Sequence, residues 1–284
     1  MRLASFESHG TAGFGAVVEN GVVDLGKAFD GRFPDLKSLL AADALNAARE
    51  VAVDARPDFA LGDVTFLPVI PNPGKIWCAG LNYRDHVHET GREVTEQPTF
   101  FLRVPDSQVG HGVAIPRPRE SLKLDYEGEV AVVIGKGGRR IREAEAWSHI
   151  AGYACYNDGS IRDWQIHTQQ WCPGKNFWRT GAFGPWMVTS DEIPPRTVMT
   201  LATRLNGIEV QRATTDMLIH SIPRQIAYVS TIAPLNAGDV IVTGTPGGIG
   251  AKRNPPVWMK AGDVVEVEVD RIGVLRNPID DEDA

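Results

Sequence analysis

The chain has 284 residues, of which 43% are hydrophobic and 23% charged, a balance typical of a globular protein with a substantial core. Its 29 basic and 36 acidic side chains give a net charge of −7, which offers no general attraction to nucleic acid or to an anionic membrane surface. No stretch approaches the roughly 20 apolar residues of a membrane span, and the N-terminus lacks the apolar segment of a signal peptide. We therefore expect a cytoplasmic protein of roughly two domains, without nucleic-acid or membrane partners.

Three cysteines form neither an even disulfide set nor a CxxC metal pair. They are Cys78, Cys155 and Cys172. Because a free cysteine behaves as a small hydrophobic residue, we expect reduced and mostly buried thiols.

Residues 1–70 are predicted to form a small N-terminal α/β domain. Two short apolar runs in residues 15–24 surround an Asn-Gly pair, which indicates a β-hairpin. Residues 38–55 are rich in leucine and alanine at helical spacing, which predicts a helix. Three prolines between residues 68 and 73 interrupt any regular element, so we place a domain boundary there and assign 71–284 to a second, catalytic domain.

The sequence of the second domain predicts mostly β-strands. Residues 125–134 and 261–269 read as strands, and residues 199–210 read as a hairpin around another Asn-Gly pair. Ser221, followed closely by a proline, starts a predicted helix that runs to about residue 232. The acidic residues 280–284 are expected to be frayed.

Nucleotide-binding loops and two hydrolase motifs are excluded. The Gly-x-Gly pairs at residues 13–15 and 248–250 lack the third glycine of a dinucleotide fingerprint, because Val18 and Arg253 occupy its position. The chain contains no GxxxxGK[ST] phosphate loop, no GxSxG nucleophile motif and no HExxH zinc motif.

Two glutamates in the predicted strand 125–134 suggest a metal site. Alternate side chains of a strand share a face, so Glu127 and Glu129 would lie about 6.5–7 Å apart. Neighbouring carboxylates repel each other and lose hydration, and a hard divalent cation relieves both penalties. Asp158 could complete a set of oxygen ligands, which selects Mg²⁺ or Mn²⁺. The alternative is a solvated strand end for the glutamates and a turn-forming role for Asp158.

Six segments together resemble the fumarylacetoacetate hydrolase family, in its order and spacing. They are residues 80–89, 125–129, 157–158, 162–165, 174–177 and 243–248. The resemblance covers about residues 71–279 and is to the bacterial 2-oxo-acid branch, which includes acylpyruvate hydrolases. It implies an α+β, mainly β protein with a mixed β-sandwich or β-roll catalytic core, behind the small N-terminal domain. It also implies a homodimer.

The resemblance further implies one Mg²⁺ or Mn²⁺ ion per subunit, held at Glu127, Glu129 and Asp158. The implied reaction is hydrolysis of the C–C bond of a 2,4-dioxo acid, a small 2-oxo acid substrate, to pyruvate and a carboxylic acid. A divalent ion would act as a Lewis acid and stabilise the enolate that forms. Oxaloacetate decarboxylation and isomerisation of 2-oxo dicarboxylates are alternatives within the same family. A catalytically silent binding protein is a third hypothesis.

Three positions match the catalytic residues of the family. Lys175 corresponds to a lysine whose charge would hold a developing oxyanion. His86 and Glu89 are three residues apart, so on a helix they share one face. Such a pair can take a proton from water, as hydrolysis of a C–C bond requires.

Five further positions are expected to bind substrate. Arg162 and Gln165 match family positions that grip the substrate carboxylate, and a guanidinium suits this task because it donates to two oxygens. Thr245 matches a threonine that meets the same carboxylate. Tyr83 belongs to the segment that contains His86, and Arg103 stands where many members of the family have lysine.

Overall fold

Strands make up most of the regular structure in a computed structural model that describes residues 1–282. The first ten strands are β1 (Arg2–Ser8), β2 (Thr11–Val18), β3 (Gly21–Asp24), β4 (Phe59–Ala60), β5 (Thr65–Phe66), β6 (Ile76–Gly80), β7 (Thr99–Arg103), β8 (Gln108–Val109), β9 (Ile115–Arg117) and β10 (Leu124–Asp125). The others are β11 (Gly128–Ile134), β12 (Ile150–Asn157), β13 (Ser160–Ile161), β14 (Gly181–Thr189), β15 (Thr200–Leu205), β16 (Ile208–Thr214), β17 (Val240–Val242), β18 (Val264–Val269) and β19 (Gly273–Asp281).

The helices are short and lie between the strands. They are α1 (Leu25–Ala28), α2 (Leu36–Ala41), α3 (Leu45–Ala52), α4 (Arg84–Thr90), α5 (Arg162–Gln165), α6 (Cys172–Lys175) and α7 (Ile222–Ile232). Within residues 1–282, no helix combines the length and the apolar character that a membrane crossing requires.

Two large sheets and one separate two-stranded pair form the β-structure of residues 1–282, so the expected mainly β fold is confirmed. The larger sheet has the strand order β4-β3-β2-β1-β14-β12-β11-β17-β6-β7, with β5 paired to β1 and β8 paired to β14. The smaller sheet has the order β16-β15-β18-β19-β9, and β10 pairs separately with β13.

The central strand β11 is buried on both faces. Val130 belongs to a core cluster with Val267 of β18, in the smaller sheet. The next residue, Ala131, belongs to a second cluster with Leu39 of α2. Adjacent side chains of a strand point to opposite faces, so β11 lies between the smaller sheet and the N-terminal helices. Full burial of each such valine or leucine contributes about 1.5–3 kcal/mol, and this packing fixes the position of the strand.

The N-terminal region confirms one prediction and corrects another. β2 and β3 form the expected antiparallel hairpin, with Val18 opposite Gly21. The single helix predicted over residues 38–55 is wrong, because two helices, α2 and α3, are separated at Asp43, whose φ is +54°. β1 also pairs with β14 and thereby extends the large sheet. The domain boundary after residue 70 stays a prediction.

In the second region, three predicted elements are confirmed. β15 and β16 form the hairpin, and β18 is the strand expected within residues 261–269. Helix α7 follows Ser221, whose hydroxyl accepts a hydrogen bond from the amide of Arg224 at 3.4 Å.

Two further predictions need correction. The strand predicted over 125–134 is interrupted, because β10 pairs with β13 whereas β11 pairs with β12. The expected fraying is wrong at residues 280 and 281, which belong to β19 and pair with β9. Residues 283 and 284 lie outside the described residues.

The three cysteines are free thiols, and they differ in exposure. Cys78 and Cys155 are buried as expected, whereas Cys172 is exposed. Burial raises the pKa of the Cys155 thiol to about 12 and raises that of Cys78 well above its usual range. Because the thiolate is the reactive form, both buried thiols are protected.

We therefore expect one thiol of the folded protein to react rapidly with an aromatic disulfide reagent, and all three to react after denaturation. Cys172→Ser removes the rapid phase and leaves the two slow thiols. A rapidly reacting thiol in this variant would contradict the burial of Cys78 or Cys155.

Candidate active site

Three carboxylates meet where β11 begins and β12 ends. Glu127 directly precedes β11, Glu129 is its second residue, and Asp158 directly follows β12. The two strands are antiparallel neighbours, with Gly128 opposite Asn157, so these ends lie side by side. All three acids are buried, and each offers an oxygen that lies within 4.8 Å of the others. The three residues predicted as metal ligands therefore form one cluster, not a solvated strand end.

The backbone around this acidic cluster is tightly constrained. A Cβ atom on Gly128 would lie 1.9 Å from the Thr203 hydroxyl of β15, so only glycine fits between the two glutamates. The amide of Asp158 donates to the carbonyl of Glu127 at 2.8 Å. The side-chain oxygen of Asn157 accepts from the amide of Glu127 at 3.0 Å. These contacts hold the carboxylates together despite their repulsion.

Cationic side chains surround the acidic cluster. The ammonium of Lys175 lies 2.7 Å from Glu127 Oε2 and 2.7 Å from Asp158 Oδ2. Arg103 forms a buried ion pair with Asp158. Nη1 of Arg162 lies 2.7 Å from Glu127 Oε1. Ion pairs of this kind compensate the cost of removing the carboxylates from water.

The cations are unevenly shared between the two glutamates. Burial opposes ionisation of Glu127, but the charges of Lys175 and Arg162 outweigh it and hold the pKa of Glu127 well below its usual range. Glu129 instead accepts a hydrogen bond from the amide of Gly244 and forms no ion pair among residues 1–282. Burial and the charges of the other two carboxylates raise the pKa of Glu129 well above its usual range.

The acidic cluster fits a divalent cation. Its donors are carboxylate oxygens, which suit hard ions such as Mg²⁺ and Mn²⁺. A fourth buried acid, Asp125, pairs with Arg162. When all four carboxylates are ionised, as metal ligation requires, they exceed the three cations by one negative charge. Glu129, which lacks a cationic partner, marks where added positive charge is most favourable. A divalent ion would change the balance to one positive charge, which suits an anionic substrate.

A histidine and a glutamate on α4 form a second functional unit. His86 Nδ1 lies 2.7 Å from Glu89 Oε1, as the spacing of the two residues predicts. The other oxygen of Glu89 accepts from the amide of Gly248 at 2.9 Å. A carboxylate can only accept here, so a neutral imidazole carries its proton on Nδ1 and leaves the Nε2 lone pair free.

A cavity of about 300 Å³ joins these units. It is lined by seven of the predicted site residues, which are His86, Glu127, Glu129, Arg162, Gln165, Lys175 and Thr245. Phe101 and Trp171 form part of its apolar wall. The cavity thus places a base, the acidic cluster and a cationic wall around one volume.

Two predicted substrate contacts lie away from this cavity. Arg103 is buried behind Asp158 and also donates to the carbonyl of Gly159 at 3.0 Å. Its position therefore orients Asp158. Tyr83 directly precedes α4 and lines a different cavity, on the side of the helix that carries Asp85. Burial raises the pKa of its hydroxyl well above the usual range. Direct contact of Tyr83 or Arg103 with substrate stays a prediction.

The sequence interpretation missed two buried residues that support the site. Asp125 accepts from Arg162 Nε at 2.8 Å and from the amide of Gly250 at 2.8 Å, so it joins the guanidinium to the cavity-lining loop. Gln211 donates to the hydroxyl of Thr245 at 2.9 Å. Asp125 lies within a segment that carries the family resemblance, which was an available signal. Gln211 lies in a hairpin strand with no such signal.

Comparison with known proteins agrees with this geometry. Residues 75–280 match the family model described as fumarylacetoacetate (FAA) hydrolase C-terminal. The chain belongs to the fumarylacetoacetate hydrolase family. As a member of this family it is an enzyme, and its acidic cluster has the donors to hold a divalent metal ion.

Three relatives illustrate the range of the family. The chain is 37% identical to the mitochondrial oxaloacetate tautomerase fahd2 of Xenopus laevis, over 98% of this chain and 90% of that protein. It is 30% identical to a fumarylacetoacetate hydrolase from Exiguobacterium antarcticum, with a TM-score of 0.84 over 99% of this chain and 100% of the other. It is 26% identical to maleylpyruvate hydrolase from Sphingobium sp. SYK-6, solved with manganese(II) and pyruvate, with a TM-score of 0.82 over 99% and 100% of the chains.

Glu129→Gln should weaken Mn²⁺ binding without removing an ion pair from the site. The change takes one anionic ligand from the acidic cluster, and it also relieves the repulsion among three carboxylates. We therefore expect weaker Mn²⁺ binding by calorimetry together with equal or higher thermal stability of the metal-free protein. Glu120→Gln, at an exposed position, is the control. Unchanged Mn²⁺ affinity in Glu129→Gln would contradict the assignment of this ligand.

Asp125→Asn should disturb the position of Arg162. Removing one partner of a buried ion pair typically costs about 3–5 kcal/mol of stability. We expect a lower denaturation midpoint and a raised KM for a 2-oxo acid substrate, with Asp106→Asn, at an exposed position, as the control. Wild-type stability and KM in Asp125→Asn would show that Asp125 does not support the site.

Proposed function

We propose that this enzyme is a tautomerase of 2-oxo dicarboxylates of the oxaloacetate class and depends on Mg²⁺ or Mn²⁺. The observation that carries the proposal is the free Nε2 of His86 in the cavity that the acidic cluster also lines. A positioned base beside a 2-oxo acid is sufficient to move a proton at C3. The name of the Xenopus laevis relative supports the same reaction class.

The carboxylate end of the substrate would bind against Arg162 and Gln165. Nη2 of Arg162 is buried and has no hydrogen-bond partner among residues 1–282, so it is available to a substrate oxygen. Gln165 accepts from Nη1 at 3.0 Å, which helps to orient the guanidinium. Glu127, Glu129 and Asp158 would hold a divalent ion, which would supply Lewis acidity toward the 2-oxo group.

Lys175 would stabilise the oxygen that gains negative charge. Its ammonium carries three protons, and two of them are directed to Glu127 and Asp158. The third remains to donate to a substrate oxygen. Burial opposes the charge on Lys175, but the two carboxylates outweigh this and raise its pKa. The lysine therefore stays cationic at neutral pH.

His86 would transfer the proton. Nε2 accepts the proton from C3 of the keto form, and the imidazolium then passes it to the enolate oxygen at C2, which completes the enol. The reverse transfers, from that oxygen to Nε2 and from Nε2 to C3, convert the enol into the keto form. Glu89 stabilises the imidazolium through the 2.7 Å contact with Nδ1, and the amide of Gly248 holds Glu89 in place. Proton transfer by a positioned side chain contributes roughly 10²–10⁴-fold to a rate.

The hydrolysis of 2,4-dioxo acids, to which the family resemblance first points, is the second candidate. The same His86 and Glu89 pair could take a proton from a water molecule that attacks the distal carbonyl. The likeness to maleylpyruvate hydrolase favours this candidate. Hydrolysis requires a positioned water as well as the base, whereas tautomerisation requires the base alone. Decarboxylation of oxaloacetate would require neither of them.

A comparison of three rates tests the proposal. With Mg²⁺ or Mn²⁺ present, we expect enol–keto conversion of oxaloacetate to have a higher kcat/KM than pyruvate release from acetylpyruvate or fumarylpyruvate. It should also exceed decarboxylation of oxaloacetate. Faster pyruvate release from a 2,4-dioxo acid would establish the hydrolase instead. Activity that persists in excess chelator would overturn the metal-dependent reaction.

His86→Ala should lower kcat for enol–keto conversion by roughly 10²–10⁴-fold, because it removes the base. His88→Ala is a matched control, because His88 is exposed on the same helix. Retention of full tautomerase activity in His86→Ala, with Mn²⁺ binding intact, would exclude His86 as the proton carrier.

We also propose, from the sequence, that the protein is a cytoplasmic homodimer. We propose no nucleic-acid or membrane partner for it. Light scattering of the purified protein tests the homodimer. A mass of twice 31.0 kDa is expected for the dimer.

A further inference from the structure

Two cationic side chains on the cavity wall have no role in the proposed reaction. Arg92 follows the end of α4, and Lys252 ends the short turn Gly250–Lys252. Both residues line the cavity that contains His86 and the acidic cluster. Both are exposed, so they belong to its outer part, whereas Lys175 and the acidic cluster are buried.

No acidic partner for these two cations lies within the described part of the chain. Among residues 1–282, neither Arg92 nor Lys252 forms a salt bridge or a side-chain hydrogen bond. The guanidinium of Arg92 instead lies over the ring of Trp171, 5.1 Å from its centroid. A guanidinium stacked on an aromatic face is held in place and keeps its donors at the rim free.

The acids of the cavity lie at its buried end. Glu127 is paired with Lys175 and Arg162, and Glu129 is bound to a backbone amide. Apart from Arg92 and Lys252, the lining of the cavity includes the apolar residues Leu81, Ile166 and Ala251, and its carboxylates among the described residues are Glu127 and Glu129. An anion at this outer wall would thus meet two cations and apolar surface, without an opposing carboxylate.

We propose that Arg92 and Lys252 form a distal carboxylate site, which selects 2-oxo acids that carry a second carboxylate. This inference rests on the proposed function, because it assumes that the 2-oxo carboxylate lies at the buried end. The second carboxylate then extends toward the cavity mouth. A cavity of about 300 Å³ accommodates a short dicarboxylate, and the site discriminates against an otherwise equal acid with an apolar tail.

A matched pair of ligands tests this selection without turnover. 2-Oxoglutarate and 2-oxopentanoate have the same five-carbon chain, and they differ in the distal carboxylate. Calorimetry in the presence of Mn²⁺ should show tighter binding of 2-oxoglutarate. The preference should shrink as ionic strength rises, because exposed charges are screened.

The variants Arg92→Gln and Lys252→Gln should each weaken 2-oxoglutarate binding by roughly twofold to fivefold. The double variant should bring the two ligands to nearly equal affinity, with 2-oxopentanoate unchanged throughout. Arg84→Gln and Lys260→Gln remove the same charges from exposed positions that do not line this cavity, so they should preserve the preference.

Equal affinity of the two ligands for the unaltered enzyme, or failure of 2-oxoglutarate to bind, would overturn the distal site. A preference that survives in the double variant would do the same. A different result would contradict the proposed function, namely the absence of metal-dependent enol–keto conversion of oxaloacetate. If the enzyme bound dicarboxylates selectively but did not catalyse enol–keto conversion, the distal site would stand and the proposed reaction would be wrong.

Discussion

The repulsion among three buried carboxylates is the constraint around which the site is arranged. Glu127, Glu129 and Asp158 lie close together away from water, and transfer of an ion from water to a protein interior costs several kcal/mol. Lys175 and Arg103 offset much of this cost through buried ion pairs. The compensation is incomplete at Glu129, so a divalent ion held by the three carboxylates would relieve the remaining repulsion.

The fold keeps the three carboxylates close together because strand β11 is buried on both of its faces. One face of the strand packs toward the smaller sheet and the other toward the N-terminal helices. Gly128 brings β11 against Thr203 so closely that a side chain is excluded. The imidazole of His86 is held differently, on the short helix α4, where Glu89 connects it to the loop at Gly248. Two separately anchored units therefore meet at one cavity.

The same central groups are compatible with more than one reaction of a 2-oxo acid. The acidic cluster, the cationic side chains around it and the imidazole of His86 suit proton transfer at C3 of a substrate. The same groups also suit the activation of a water molecule. The relatives of this chain carry names from both reaction classes. In the proposed distal site, the outer wall of the cavity would provide the selectivity, because Arg92, Lys252 and Trp171 line it with charge and apolar surface.

The amino-acid sequence by itself determined several local elements and which residues form the acidic cluster and the histidine–glutamate pair. The β2–β3 hairpin, helix α7 and the i,i+3 contact of His86 with Glu89 depend on residues a few positions apart, so local patterns reveal them. Only the tertiary structure decided that Arg103 lies behind Asp158 and that Asp125 holds Arg162. Those partners are tens of residues apart in the chain. Packing of the sheets brings them together, and no short-range pattern specifies such contacts.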